Sequence, residues 1–127
     1  MGDRIETMGM ARAMMAHVQA RQTEIARNVA NADTPGFRAQ DIAPFDPEAM
    51  VTPPLKATHA RHITDGPRGS APPTRIDAGG EAAPNGNTVS LEDEMVRAAD
   101  TSRDHDLALA IYQSGLRLLR GATGRRG

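Results

Sequence analysis

From Met8 onward apolar residues return with a seven-residue repeat. Met8, Met15, Gln22 and Val29 share one repeating position, and Ala11, Val18, Ile25 and Ala32 share the other. This is an a/d seam over about four heptads, the pattern of a helix that lays one stripe against another helix. Gln22 is its polar interruption, and a polar residue on such a seam weakens packing while fixing register. Ile5 lengthens the face, alanine is frequent, and no proline falls within residues 3–33, so a long helix is predicted there.

A second pattern occupies residues 89–120. Leu91, Met95, Ala98, Ser102, His105, Leu109, Tyr112, Leu116 and Leu119 follow one another at spacings of three and four. Ser90 is placed to cap the start, and Glu92, Asp93 and Glu94 sit where a helix dipole favours anions. Arg117 and Arg120 lie near the other end, and Gly121 is a suitable stop. The centre, TSRDHD, sets polar residues on and around the seam.

Between the two patterns lies a different kind of chain. All nine prolines fall in residues 34–88. Fragments such as MVTPPLKAT and PTRID look like strands, but proline keeps breaking the alternation. An extended loop with at most a short hairpin is predicted, partly disordered in the free protein. The chain therefore divides into an N-terminal helix (1–33), a Pro/Gly-rich middle (34–88), and a C-terminal helix with a short basic tail (89–127). The fold class is mainly α, with the two long helices packed as a coiled-coil-like pair. The length of the middle leaves a parallel or an antiparallel pair equally open. Neither stripe can be buried by its own helix alone, and two stripes are too few for a closed four-helix core. Other copies must supply the rest.

Composition sharpens this picture. In 127 residues the only aromatic side chains of Phe, Trp or Tyr type are Phe37, Phe45 and Tyr112. The core must rely on Ala, Leu, Met, Val and Ile, which gives few strong anchors. A formal net charge of -1 provides no general attraction to nucleic acid or an anionic membrane. The absence of cysteine excludes disulfides and thiolate metal sites and leaves the compartment open. No apolar run approaches the roughly 20 residues of a spanning helix. The N-terminus, with its acids and with Arg12 and His17 among its apolar residues, is not expected to act as a cleavable secretory signal.

Candidate chemistry is sparse. His59 and His62 form an H-x-x-H pair, but zinc needs three or four ligands in fixed geometry, and neither cysteine nor a metalloprotease glutamate accompanies them. A metal-dependent hydrolase built on this pair is the weakest reading. His17 and His105 are expected along helix faces. GPRGS and GATGRRG lack the strand and helix that make glycine a nucleotide loop, and no nucleophile elbow is present. No catalytic residue, cofactor, metal, nucleic-acid partner or small-molecule substrate is expected.

The most specific local chemistry is NVANADTPGF, residues 28–37. Thr34 precedes proline and is pushed out of the helical region. Pro35 suits the first central position of a type II turn, and Gly36 the second, where φ must be positive. Asn28 and Asn31 share one face of the last helical turn, where their amides can tie the helix end to nearby backbone. Asp33 and Phe37 complete the stretch, with Phe37 placed to anchor the emerging chain. A helix stop needs only glycine; paired amides and a fixed turn suggest a corner that presents one shape to a partner.

IARNVANADTPGFRAQD resembles the N-terminal signature of bacterial flagellar basal-body rod proteins, and within that family it is most similar to the proximal rod proteins. NGNTVSLEDEM, residues 85–95, resembles the start of the same family's C-terminal helix. His105 stands where the family pattern has tyrosine, and TSRDHD and GATGRRG are more polar and more Gly/Arg-rich than that pattern. The resemblance implies a structural subunit, exported through the flagellar type III apparatus without a cleavable signal and built into an axial rod in the periplasm. It implies as partners other copies of the chain, other rod proteins, the rod-base adaptor, and the membrane ring and export gate. Helix packing would then fall to Met8, Met15, Val18, Ile25, Val29, Leu91, Met95, Leu109, Tyr112, Leu116 and Leu119. A neighbouring rod subunit and a coiled-coil adaptor or export chaperone that stays outside the rod are the alternatives.

Overall fold

The computed structural model of this protein describes residues 2–48 and 72–124, with side chains from 6–48 and 72–121. Helix α1 spans Gly2–Ala30, strand β1 Gln40–Ile42, strand β2 Arg75–Asp77 and helix α2 Leu91–Gly124. The two helices, 29 and 34 residues long, pack side by side. They run antiparallel: Met8 lies against Gly115, Arg12 stands over Tyr112, and Asn28 bonds to Glu94. This settles the direction that the register left open.

Helix α1 ends at Ala30 and passes into the turns of residues 31–36. Helix α2 starts as its sequence predicts, with the Asp93 amide donating to Ser90 Oγ at 3.3 Å. Its far end differs. Gly121 does not stop the helix, which runs on to Gly124. Glycine allows a left-handed stop without compelling one; the described glycines with positive φ are Gly36, Gly79, Gly80 and Gly86.

The face of α2 turned to α1 carries Glu94, Thr101, Ala108 and Gly115, all buried. They repeat every seven residues, as a helix–helix contact demands. On α1 the buried positions are Met8, Ala11, Val18, Glu24 and Asn28. Small side chains let the axes approach closely; a Cβ added to Gly115 would stand 2.7 Å from Met8 Cγ.

In the middle of the chain, β1 pairs antiparallel with β2 in the register Gln40↔Asp77, Asp41↔Ile76, Ile42↔Arg75. Bonds from Ala43 N to Thr74 O and from Ala78 N to Ala39 O extend the ladder by a residue at either end. β2 falls within the strand-like fragment PTRID. MVTPPLKAT and the pair His59 and His62 lie outside the described residues. β1 runs back along α1, so the small sheet covers the flank of the helix pair, with Ala39 and Ile42 buried beneath it.

Candidate functional site: the corner between the helices

The two sequence signatures, some fifty residues apart in the chain, meet at one end of the helix pair. Asn28 is at their centre and fully buried. Its Oδ1 accepts from the Gln40 amide at 3.0 Å, and its Nδ2 donates to the Gln40 carbonyl at 2.7 Å. The side chain thus pairs with the Gln40 backbone as a neighbouring strand would. Its second Nδ2 hydrogen goes to Glu94 Oε1 at 3.0 Å. One amide therefore ties α1 to β1 and to α2, with both of its N–H donors used and its oxygen accepting once.

Glu94, 1% exposed, also accepts from Arg97 one turn further on. Its other oxygen has no hydrogen-bond partner among the described residues. Burying a carboxylate is costly unless it is paired, and the Asn28 amide and the Arg97 guanidinium together provide that pairing. Arg97 also reaches Asp41 at 3.8 Å, and Asp41 is held by Arg21 at 3.1 Å and accepts from the Ile42 amide at 2.7 Å. On the next turn of α1, Glu24 binds Arg27 at 3.1 Å and Arg75 of β2 at 2.9 Å. Three carboxylates thus connect both helices and both strands. Nearby, His17 Nε2 donates to the Ala43 carbonyl at 2.8 Å, and its ring meets Phe45 edge-on.

The turn itself is built from the second signature. Asn87 Nδ2 donates to the Asn31 and Thr34 carbonyls at 2.9 and 2.8 Å, and its Oδ1 accepts from the Val89 amide at 2.7 Å. Gly36 N bonds to Asn85 O and Thr88 N to Phe37 O. Thr88 Oγ1 accepts from the Ala39 amide at 2.8 Å. The helix-end carbonyl of Arg27 accepts from Asn31 Nδ2 at 2.8 Å. Phe37 N bonds back to Thr34 O, and Gly36 has φ 74°, the geometry a Pro-Gly type II turn requires. Gly86, with φ 85°, packs its backbone on Gly36: a Cβ there would lie 3.3 Å from Gly36 Cα.

Within the signature, Asn28 is buried, Asn31 and Phe37 are half-buried, and Asp33, Thr34, Pro35 and Gly36 face solvent. Of the seam residues, Met8 and Val18 are buried, and Met15, Ile25, Leu109, Tyr112, Leu116 and Leu119 are half-buried. Val29, Leu91 and Met95 stay exposed, at 47%, 54% and 73%. At that end Asn28 and Glu94 occupy the helix contact, which turns the neighbouring apolar residues outward. Sequence reasoning gave no role to Gln40, Asp41, Asn87, Thr88 or Arg97, and read Glu94 only as one of three acids at a helix start. All stand inside or beside the two motifs, and that proximity was the signal. Among the described residues no group of three or more His, Asp or Glu side chains is arranged to hold a metal, and no helix is long and apolar enough to cross a membrane.

The two motifs thus build one feature, a hydrogen-bonded corner that closes one end of an antiparallel helix pair. No protein-family model matches the chain. Curated proteins do. The flagellar basal body rod protein FlgB of Agrobacterium fabrum is 26% identical over 123 residues, covering 91% of this chain and 90% of that protein. FlgB of Yersinia enterocolitica is 32% identical over 104 residues, covering 72% and 74%, and FlgB of Escherichia coli is 32% identical over 103 residues, covering 71% and 72%. The chain belongs to the flagellar basal body rod protein FlgB family.

Proposed function

We propose that this chain is a structural subunit of the flagellar basal-body rod, at the proximal position rather than at that of the adjacent FlgC-type subunit. In this reading it has no catalytic role. It is exported by the flagellar type III apparatus, folds at the growing structure in the periplasm, and packs with its own copies, with other rod proteins, and with the rod-base adaptor and membrane ring. The corner from Asn28 to Phe37 is its interaction turn, and Val29, Leu91 and Met95 complete their packing against neighbours.

The observation that carries this reading is the meeting of the two rod signatures in one corner, each supplying the other's hydrogen bonds. The test is a clean deletion scored for swimming and for rods in isolated basal bodies by electron microscopy, with the intact chain returned on a plasmid. Loss of rod, hook and filament, restored by the intact chain, is the expected result. Normal rods in the deletion strain would instead favour an adaptor that never enters the rod.

A further inference from the structure

The outer side of α2 carries apolar residues that stay exposed beside the helix pair. Val96, Leu107 and Leu118 are 61%, 54% and 54% exposed. Successive members lie about three helical turns apart, so they share one face. The residues buried against α1 occupy a different face. Beside Leu118, Thr7, Ala110, Ile111, Ser114 and Gly115 line a shallow groove of about 260 Å³ between the helices, which reaches the edge of their contact at Gly115.

Charge is divided along the same helix. Glu92, Asp93, Glu94, Asp100, Asp104 and Asp106 all precede Leu107, accompanied only by Arg97 and Arg103 as cations. From Leu107 to Gly124 there is no acid, while Arg117 and Arg120 are present. Glu94 and Arg97 are enclosed in the corner, whereas Glu92, Asp93, Asp106 and Arg117 are exposed.

We infer that this outer face docks a second copy of the same chain, with the acidic half of one α2, around Val96, lying on the basic half of the next, in the groove beside Leu118. Charge selects the occupant. Copies stacked in register would set acid on acid, whereas an offset of about two-thirds of the helix brings Glu92 and Asp93 toward Arg117 and seats Val96 in the groove. A two-fold antiparallel pair would satisfy the same charges, but it engages both halves of both helices and closes. The inference rests on the rod reading above, which requires an open assembly. Parallel copies, each offset from the last, leave one half free at either end and so continue.

The chain contains no cysteine, so thiols can be introduced without background. Full-length chains carrying Val96→Cys and Leu118→Cys are produced together and basal bodies are isolated under mild oxidation. A disulfide between the two variants is expected, with none from either variant alone and none from Leu107→Cys alone. Arg117→Glu added to the Leu118→Cys chain should lower the yield of that bond about fivefold, and Glu92→Lys with Asp93→Lys on the Val96→Cys chain should restore it. A Leu107→Cys homodisulfide, the mark of a closed antiparallel pair, overturns the inference. So does the absence of the mixed bond in rods that contain both variants, and in that case the rod reading stands. If the intact chain never enters rods, the rod reading falls, and the same mixture of purified variants decides the contact by the presence or absence of the bond.

Discussion

The two ends of the helix pair are held by different physics. At the corner, the contact consists of Asn28, Glu94, Arg97, Asp41 and Asn87, joined by directed hydrogen bonds and ion pairs. At the open end it consists of Ala11, Ala108 and Gly115 under Met8, with the Arg12 guanidinium 5.9 Å from the centre of the Tyr112 ring. Apolar contact has no preferred direction and tolerates sliding along the helices. A buried amide that must meet one backbone and one carboxylate does not. The corner therefore sets the register, and the open end contributes close packing once the register is set.

The largest effect should come from removing the centre of the corner. Asn28→Ala leaves the Gln40 amide and carbonyl without their partner in a buried site, and leaves the Glu94 carboxylate with Arg97 alone. Leaving such groups unsatisfied costs about 1–3 kcal/mol each where no water enters, and partial relief by water gives an expected loss of about 3–4 kcal/mol overall. Urea unfolding followed by circular dichroism reads this directly. A loss below about 1 kcal/mol would mean that the corner does not set the register.

The next effect separates backbone shape from side-chain bonding at the same end. Gly86→Ala removes no hydrogen bond. It places a Cβ on a residue with φ 85° and 3.3 Å from Gly36 Cα. The left-handed conformation costs about 1–2 kcal/mol for an L-residue, and the crowding of two backbones adds to it. The chain should be destabilised by about 2 kcal/mol. The same substitution at Gly9, which has open space around it, should stabilise by up to about 1 kcal/mol through helix propensity.

At the open end the expected effect is smaller, because methionine can move. Gly115→Ala gains about 1 kcal/mol of helix propensity but drives its Cβ into Met8 Cγ, and overpacking of this kind costs about 1–3 kcal/mol. A net loss of about 1 kcal/mol is expected. In a Met8→Ala background the clash disappears and the same change should become neutral or stabilising. A double-mutant cycle that shows no coupling between positions 8 and 115 would contradict the close approach of the axes.

This contrast also explains what the sequence made legible. Both helices could be read, because heptad patterning, the Ser90 cap and the Thr-Pro-Gly turn are local signals. The turn geometry at Gly36 could be read for the same reason. The face that packs within the chain could not be read so easily. A hydrophobic pattern marks the large apolar residues, Leu91, Met95 and Val29, whereas a close antiparallel contact selects for small ones, Gly115, Ala108 and Thr101, and at the corner for a matched polar pair. Glu94 looked like one of three acids at a helix start, a surface role, until its partner Asn28 arrived from the other helix. Strand β1 escaped notice because three residues, QDI, carry no alternation of their own and are specified by what they bond to.

The smallest effect lies at the rim of the sheet and tests whether the strands are held as firmly as the corner. Asp77, on β2, accepts from Arg38 Nε at 2.8 Å and from the Gly79 amide at 2.7 Å. The Arg38 hydrogen bond and then the Gly79 amide hold its carboxyl below the usual aspartate value, outweighing desolvation, with the Arg38 charge as the smallest contribution. Folding lowers this pKa, so the contribution to stability is fully present above the pH at which the unfolded carboxyl titrates, about 3.9. It is lost as pH falls through the folded value. The pair is exposed and screened by salt, so a carboxyl titration followed by NMR is a better readout than unfolding. Arg38→Ala should raise the Asp77 midpoint toward that of a free aspartate without quite reaching it, because the Gly79 amide still donates. An unchanged midpoint would show that the strands at this rim do not hold the two side chains together in solution, and that the order of the corner ends before it reaches the sheet edge.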